Sequence, residues 1–324
     1  MIPYRIITLR GIRILTTSLL CLGIFLCSYT YYYSYNARWD GRLCHCERCV
    51  SELGLSNWFD KRFIPDHIPL LTRTNYTLTK ETRNWWMQLQ KERKPDNLSQ
   101  VIAKLFELGR GEDNLLIRRH RGCRTCAVVG NSGNLLGSRY GKDIDANEIV
   151  FRMNQAVTKG FQQDVGSRTT HHFMYPESAR DLENNTHVIL IPFKVLDIKW
   201  IISALTTGEV TRTYKPVKRR IKVNKDKILV YHPHFFKYVY ENWNQRHGRT
   251  PSTGMLAIIF ALHVCDQVNV YGFGCNSKGH WHHYWEQNKG AGAFRITGVH
   301  NADFEANVTK ILTNIQKVTF PPGI

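Results

Sequence analysis

The sequence predicts an α/β fold: a mostly parallel central sheet flanked by helices, set after an N-terminal transmembrane helix and a stem. Three observations carry this. Short apolar runs of strand length alternate with longer runs at helical spacing through most of the chain. Unbroken apolar strands of this kind belong to parallel sheets covered on both faces. The 324 residues, 43% apolar and 12% aromatic, supply a sizeable core, and a charged share of 22% excludes a disordered or fibrous chain.

In chain order, residues 1–13 are a short tail carrying Arg5, Arg10 and Arg13. Residues 14–33 (ILTTSLLCLGIFLCSYTYYY) lack any charge, and at ~1.5 Å per residue they make a helix of ~30 Å, the thickness of a hydrocarbon core. No Asp or Glu precedes Asp40, so the tail stays cytosolic and the remaining chain faces a lumen. Tyr29, Tyr31, Tyr32, Tyr33 and Tyr35 suit an interfacial belt. A cleaved signal peptide is the alternative. The run exceeds the ~7–15 residues of a signal core and no small-x-small site follows it, so an uncleaved type II signal-anchor is expected.

Residues 34–75, polar and broken by Pro65 and Pro69, read as a lumenal stem, and 76–324 as the folded body. Helical spacing covers 81–94 and 98–108. Strands are expected at 126–130, 149–153, 187–193, 228–231 and 268–271, with helices at 197–205, 235–244, 255–264 and 302–316 between and after them. Ligands of such sheets bind at the carboxyl ends of strands. Sequons at Asn75, Asn97, Asn184 and Asn307 fit a lumenal glycoprotein.

The 44 Lys+Arg against 26 Asp+Glu give a net charge of +18, and only four of those arginines precede residue 40. The body is therefore basic, with clusters at Arg118–Arg124 and Arg212–Lys227. An anionic partner follows, carrying phosphate or carboxylate. A lumenal domain meets no nucleic acid. Of nine cysteines, Cys21 and Cys27 lie in the apolar run, leaving Cys44, Cys46, Cys49, Cys123, Cys126, Cys265 and Cys275. In a cytosolic protein these would read as zinc ligands; in an oxidising lumen disulfides are favoured. Seven leave one unpaired, and spacing does not choose the pairing.

Three segments carry the chemistry. CAVVGNSGNLLGSRYG runs from a buried strand into a Gly/Asn/Ser turn where backbone can approach a phosphate or sugar; EIVFRMN, ending at Asn154, and DVGSRTTHHFMYP follow. RTPSTGMLAIIFALHVCDQVNVYGFG places Pro251, Ser252, Thr253 and Gly254 at a helix start and closes on Gly272-Phe-Gly274. GHWHHYW and GVHNADFE bring His280, His282, His283 and His300 together, and histidine titrates where a general base must. The H-x-H-H spacing lacks the second pair of a structural zinc site.

In order and separation these segments resemble the four sialylmotifs of the animal sialyltransferases, glycosyltransferase family 29, over roughly residues 80–324. The phrases GNSGNL, DVGSRTTHH, PSTG and WHHYW resemble most the β-galactoside α2,3-sialyltransferases, of the type acting on Galβ1,3GalNAc of O-glycans and glycolipids. The resemblance implies a variant GT-A (Rossmann-like) fold in the Golgi membrane. It implies inverting transfer of sialic acid from CMP-sialic acid to a galactose 3-hydroxyl, with no metal or other cofactor. By motif position His300 is the general base and His283 the partner of the leaving phosphate. Asn131, Ser132, Asn154, Ser252, Thr253, Gly254 and Gly274 would hold the donor, with Tyr214 on its phosphate and Gln90 on the acceptor galactose. Thr250, also at the donor site, stands where a tyrosine is expected. The resemblance further implies Cys44–Cys49, Cys46–Cys123 and Cys126–Cys265, leaving Cys275 free.

Two rival readings accompany it. Asp143-Ile-Asp145 is formally a D-x-D, as in metal-dependent glycosyltransferases. A membrane-anchored glycan-binding relative without turnover is the other. The sequence is silent on a homodimer and on glycoprotein against glycolipid acceptors.

Overall fold

The computed structural model describes residues 9–39, 44–92, 94–109, 122–275, 281–287 and 297–321. One sheet organises the body: β1 (Thr125–Val129), β2 (Ile149–Met153), β3 (His171–Met174), β4 (His187–Leu190), β5 (Ile228–Val230) and β6 (Gln267–Tyr271). Its order is β5-β4-β3-β2-β1-β6 and every neighbouring pair is parallel. The chain steps outward from β1 to β5, then returns to lay β6 on the other side of β1, with Val129 opposite Tyr271. That reversal opens a crevice beyond the carboxyl ends of β1 and β6, where sheets of this kind bind ligands.

Strand β3 was not among the expected strands, because its first residues, His171 and His172, look polar. Both are buried, with partners that make burial affordable: the His171 ring stacks on His187 at 4.7 Å, and His172 Nε2 bonds the Asn154 carbonyl at 2.7 Å.

The helices follow the expected pattern with shifted ends: α1 (Leu9–Trp39), α2 (Lys80–Gln88), α3 (Leu98–Leu108), α4 (Val195–Leu205), α5 (Pro233–Tyr238), α6 (Thr253–Val264) and α7 (Ala302–Asn314). α2 stops before residue 94 because the chain turns, with Lys91 at φ 49°. Glu92 then reaches across the fold and accepts from the Val195 and Leu196 amides at 2.9 and 3.1 Å, which starts α4 two residues early. α5 starts at Pro233, a residue suited to a first turn, under a His232 cap, and the chain continues as a π turn over Val239–Trp243. α6 is apolar on all sides and buried through ten of its residues, packing against β1, β2, β3 and β6. Phe260 meets Phe151 and Phe173 edge-on at 5.7 and 5.3 Å; truncating such a ring to Ala costs ~3–5 kcal/mol.

From Cys44 onward the segment read as stem is part of the body. Phe59, Phe63 and Leu70 are buried in the main core, the Val50 amide donates to Asp266, and the Leu71 amide donates to Val230. Phe59 lies in a one-turn helix, Asn57–Asp60, and stacks on Phe63 at 4.9 Å, a local pattern too short to mark an element in the sequence. The three disulfides are Cys44–Cys49, Cys46–Cys123 and Cys126–Cys265, as the resemblance implied, and Cys275 is free. Cys126–Cys265 closes 139 residues and ties β1 to the C-cap of α6, just before β6, worth about 5 kcal/mol in the chain-entropy model.

α1 runs through the apolar stretch with Ile14, Leu20 and Phe25 exposed. Among the described residues no helix is long and apolar enough to cross a membrane. Of the sequons, Asn97, Asn184 and Asn307 are exposed, Asn97 as the cap of α3. Asn75 is half-buried and uses both ends of its carboxamide, accepting from Thr72 at 2.6 Å and donating to Leu70 at 2.9 Å.

Candidate active site

The crevice holds a cavity of about 820 Å³. Two glycines set its floor. A Cβ on Gly130 would lie 2.3 Å from the Gly272 carbonyl, and Gly272 itself sits at φ +70° with Leu135 2.3 Å from any Cβ. The backbones after β1 and β6 thus touch, a contact only glycine permits. Asn131 follows Gly130, donating from Nδ2 to the Met153 carbonyl at 3.1 Å; Asn154 follows β2 in the left-handed region at φ 56°, tolerable for asparagine. Both carboxamide oxygens are buried without a partner among the described residues. Two unsatisfied acceptors in one cavity wall mark a place for a ligand with N–H or O–H donors.

The start of α6 forms a second wall. Ser252 caps the helix, accepting from the Met255 amide at 3.1 Å, and a Cβ on Gly254 would meet Phe273 at 2.5 Å. Glu305 of α7 locks this turn: its carboxylate accepts from the Ser252 amide at 2.8 Å, from the Ser252 hydroxyl, and from Asn244 Nδ2 at 3.1 Å. Burial raises its pKa against those donors.

His300 stands beside that wall. Its Nδ1 lies 2.8 Å from the Thr250 carbonyl, an atom that only accepts, so Nδ1 carries the proton and Nε2 is the acceptor of the neutral ring. Thr250 is buried, its amide donates to Val299 at 3.0 Å, and its hydroxyl is 3.5 Å from His300 Nδ1. His283 lies across the cavity on a segment laced to the β1 turn: Gly133 donates to the His282 carbonyl at 2.7 Å and Tyr284 to Asn131 at 3.1 Å. Its Nδ1 meets Glu286 at 2.9 Å, and its ring stacks on Trp285 at 4.5 Å.

At the mouth, Tyr214 is exposed on a loop that Glu177 holds through the amides of Tyr214 and Lys215, at 2.9 and 3.2 Å, and the Thr213 hydroxyl. Gln90, also lining the cavity, accepts from buried Lys194. Every residue to which the resemblance gave a catalytic, donor or acceptor role lines this one cavity, Ser132, Thr253 and Gly274 included. His280 and Arg118–Arg121 lie outside the described residues.

The D-x-D reading is corrected. Neither aspartate lines the cavity, and both Asp145 oxygens are occupied by the Ser167 amide and hydroxyl and the Arg168 amide, at 2.8–3.1 Å. Partial burial raises the Asp145 pKa, but those donors win and hold it below the ordinary carboxylate range. The residue is a loop anchor.

Comparison with known proteins agrees with this geometry. Residues 70–317 match the model of glycosyltransferase family 29 (sialyltransferase). The chain belongs to that family. It is 57% identical over 283 residues to the Gallus gallus CMP-N-acetylneuraminate-beta-galactosamide-alpha-2,3-sialyltransferase 1, covering 87% of this chain and 83% of the relative. Identity to the Rattus norvegicus sialyltransferase 2 of the same name is 54%, over 86% of this chain and 80% of the relative. Among solved structures, a mammalian sialyltransferase superposes with TM-score 0.82 at 53% identity, over 87% of this chain and all of the other. A mammalian sialyltransferase in complex with Gal-beta-1-3GalNAc-ortho-nitrophenol matches at TM-score 0.81.

Sequence reasoning missed the residues that hold the family's motifs in place: His172, Glu177, Lys194 and Glu286, and the role of Glu305. Glu286 and Glu305 were within reach, lying three and five residues after their histidines. The others act across the fold.

Proposed function

We propose that the chain is a β-galactoside α2,3-sialyltransferase that moves sialic acid from CMP-sialic acid to the 3-hydroxyl of terminal galactose, with Galβ1,3GalNAc as acceptor. The observation that carries this is the His300–Thr250 bond, which leaves Nε2 as a proton acceptor in a cavity that also presents a second histidine and two unsatisfied amide oxygens. The relatives' names give the same donor and linkage, and one solved relative holds the same disaccharide.

In this reading Asn131 and Asn154 accept from nucleotide hydroxyl or amino groups, and Ser132 and Gly274 shape the same pocket. The Thr253 and Gly254 amides at the start of α6 face the phosphate, which suits a helix N-terminus, while Glu305 holds the Ser252 amide and hydroxyl that shape the turn. Tyr214 adds a hydroxyl at the mouth, and Gln90 meets the galactose. The acceptor 3-hydroxyl loses its proton to His300 Nε2, and its oxygen attacks the anomeric carbon. The bond to the phosphate oxygen breaks on the opposite face, so configuration inverts and CMP leaves with the electron pair. His283 donates to that phosphate, supplying with α6 the charge stabilisation that a metal ion supplies elsewhere. The setting is the Golgi membrane, with residues 14–33 as a type II anchor and Asn97, Asn184 and Asn307 as the exposed sequons.

The test is the full chain with CMP-sialic acid and either Galβ1,3GalNAc or Galβ1,4GlcNAc, following CMP release and reading the linkage by NMR. An α2,3-sialylated Galβ1,3GalNAc is expected. Binding of both substrates without CMP release would establish the glycan-binding alternative instead.

A further inference from the structure

Gln90 is offered to the acceptor by a carboxamide whose two ends differ chemically: Oε1 only accepts and Nε2 only donates. Which end faces the cavity decides which sugar atom it can read. Lys194, immediately before α4, has an ammonium with donors alone, and that ammonium is bonded to Gln90 Oε1. The oxygen end is thereby engaged, and among the described residues Nε2 makes no bond.

Lys194 is itself built in. Its side chain is 5% exposed, and its Nζ lies 2.8 Å from Asp197, whose side chain is 1% exposed. The other Asp197 oxygen accepts from the Phe193 amide at 2.8 Å, and Phe193 lines the cavity. Two residues beyond Gln90, Glu92 caps α4 through the Val195 and Leu196 amides. The rim segment is therefore pinned to α4 at two points, one of which ends on the carboxamide. Burying an ammonium and a carboxylate together is seldom a gain in stability over apolar residues. The pair does not line the cavity itself, but its partners Gln90 and Phe193 do, and that gives it a use.

We propose that Lys194, held by Asp197, is a positioning residue that fixes Gln90 with its NH₂ toward the acceptor, making it a hydrogen-bond donor to a galactose oxygen. This rests on the sialyltransferase reading and on Gln90 as the acceptor contact. Selection follows: a sugar oxygen is read at that point, and an acceptor lacking it leaves a donor unpaired.

The experiment measures KM for Galβ1,3GalNAc and for CMP-sialic acid separately in the full chain. Lys194→Met alone strands Asp197, so the informative variant is Lys194→Met with Asp197→Asn, which removes both charges and keeps an acceptor for the Phe193 amide. Acceptor KM should rise about tenfold, the loss of one oriented hydrogen bond, with donor KM within about twofold. Adding Gln90→Ala to that variant should change acceptor KM little further, although Gln90→Ala in the unaltered chain raises it. An unmoved acceptor KM, or both KM values rising together, would overturn the assignment while wild-type transfer stands. Absence of wild-type transfer would overturn the sialyltransferase reading itself, and this inference with it.

Discussion

His300 and His283 line one cavity and differ in what holds the inner ring nitrogen. His300 Nδ1 meets a backbone carbonyl at 2.8 Å, and His283 Nδ1 meets the Glu286 carboxylate at 2.9 Å. A carbonyl fixes a tautomer and offers no counter-charge, which suits a ring that begins neutral and takes a proton. A carboxylate becomes an ion-pair partner once the ring carries two protons, which suits a ring that donates to a developing phosphate charge. The proposed division of labour follows this difference in the directly bonded partner, although the Glu305 carboxylate also acts on His300 through space.

The largest expected effect tests the base. His300→Ala should lower kcat by ~10²–10⁴ while CMP binding by calorimetry is kept; a variant retaining most of its kcat would remove the assignment.

Next comes a third histidine with a carbonyl partner. His172 is fully buried and its pKa is pushed down to about 4, chiefly by burial, while its Nε2 bonds the Asn154 carbonyl at 2.7 Å. The unfolded chain protonates this ring near 6.5 and the folded chain does not, so its contribution is present above pH 6.5 and is lost as pH falls toward 4. The loss across that window is on the order of 3 kcal/mol. Denaturant unfolding from pH 7 to 4 should show it, and His172→Gln should flatten that part of the profile.

Glu286→Gln keeps a hydrogen-bond acceptor and removes the charge behind His283. A roughly tenfold fall in kcat with unchanged CMP affinity is expected, the scale of one charge-assisted bond. Equal activity in the two proteins would erase the contrast between the rings.

The smallest effect is the sharpest comparison. Thr250 holds His300 by its carbonyl, so Thr250→Val leaves that bond in place and kcat should stay within about twofold. A loss approaching that of His300→Ala would move the function to the Thr250 hydroxyl, 3.5 Å from the ring.

The strands that reach the cavity floor were legible because each is a short, mostly apolar run, interrupted by Arg152 in β2 and by Gln267 and Asn269 in β6, and α6 because Pro251 and Ser252 announce its start. β3 was not legible: its histidines are buried through partners 16 to 18 residues away in sequence, His187 and Asn154. Residues 44–71 read as stem because their apolar residues are sparse: the Phe59–Phe63 pair spans a single short turn and Leu70 joins the core from an isolated bridge.

Sequence alone determined the alternation of apolar strands and helices, the glycine and asparagine turns, and the motif residues with their cysteines, because all of these are local patterns of residue type. Tertiary structure alone decided that β6 returns beside β1 to open the crevice, and that His300 is fixed by a residue 50 positions earlier and Gln90 by one 104 positions later. Chain reversal and hydrogen bonds between distant residues leave no periodic trace, since their geometry exists only once the sheet has formed.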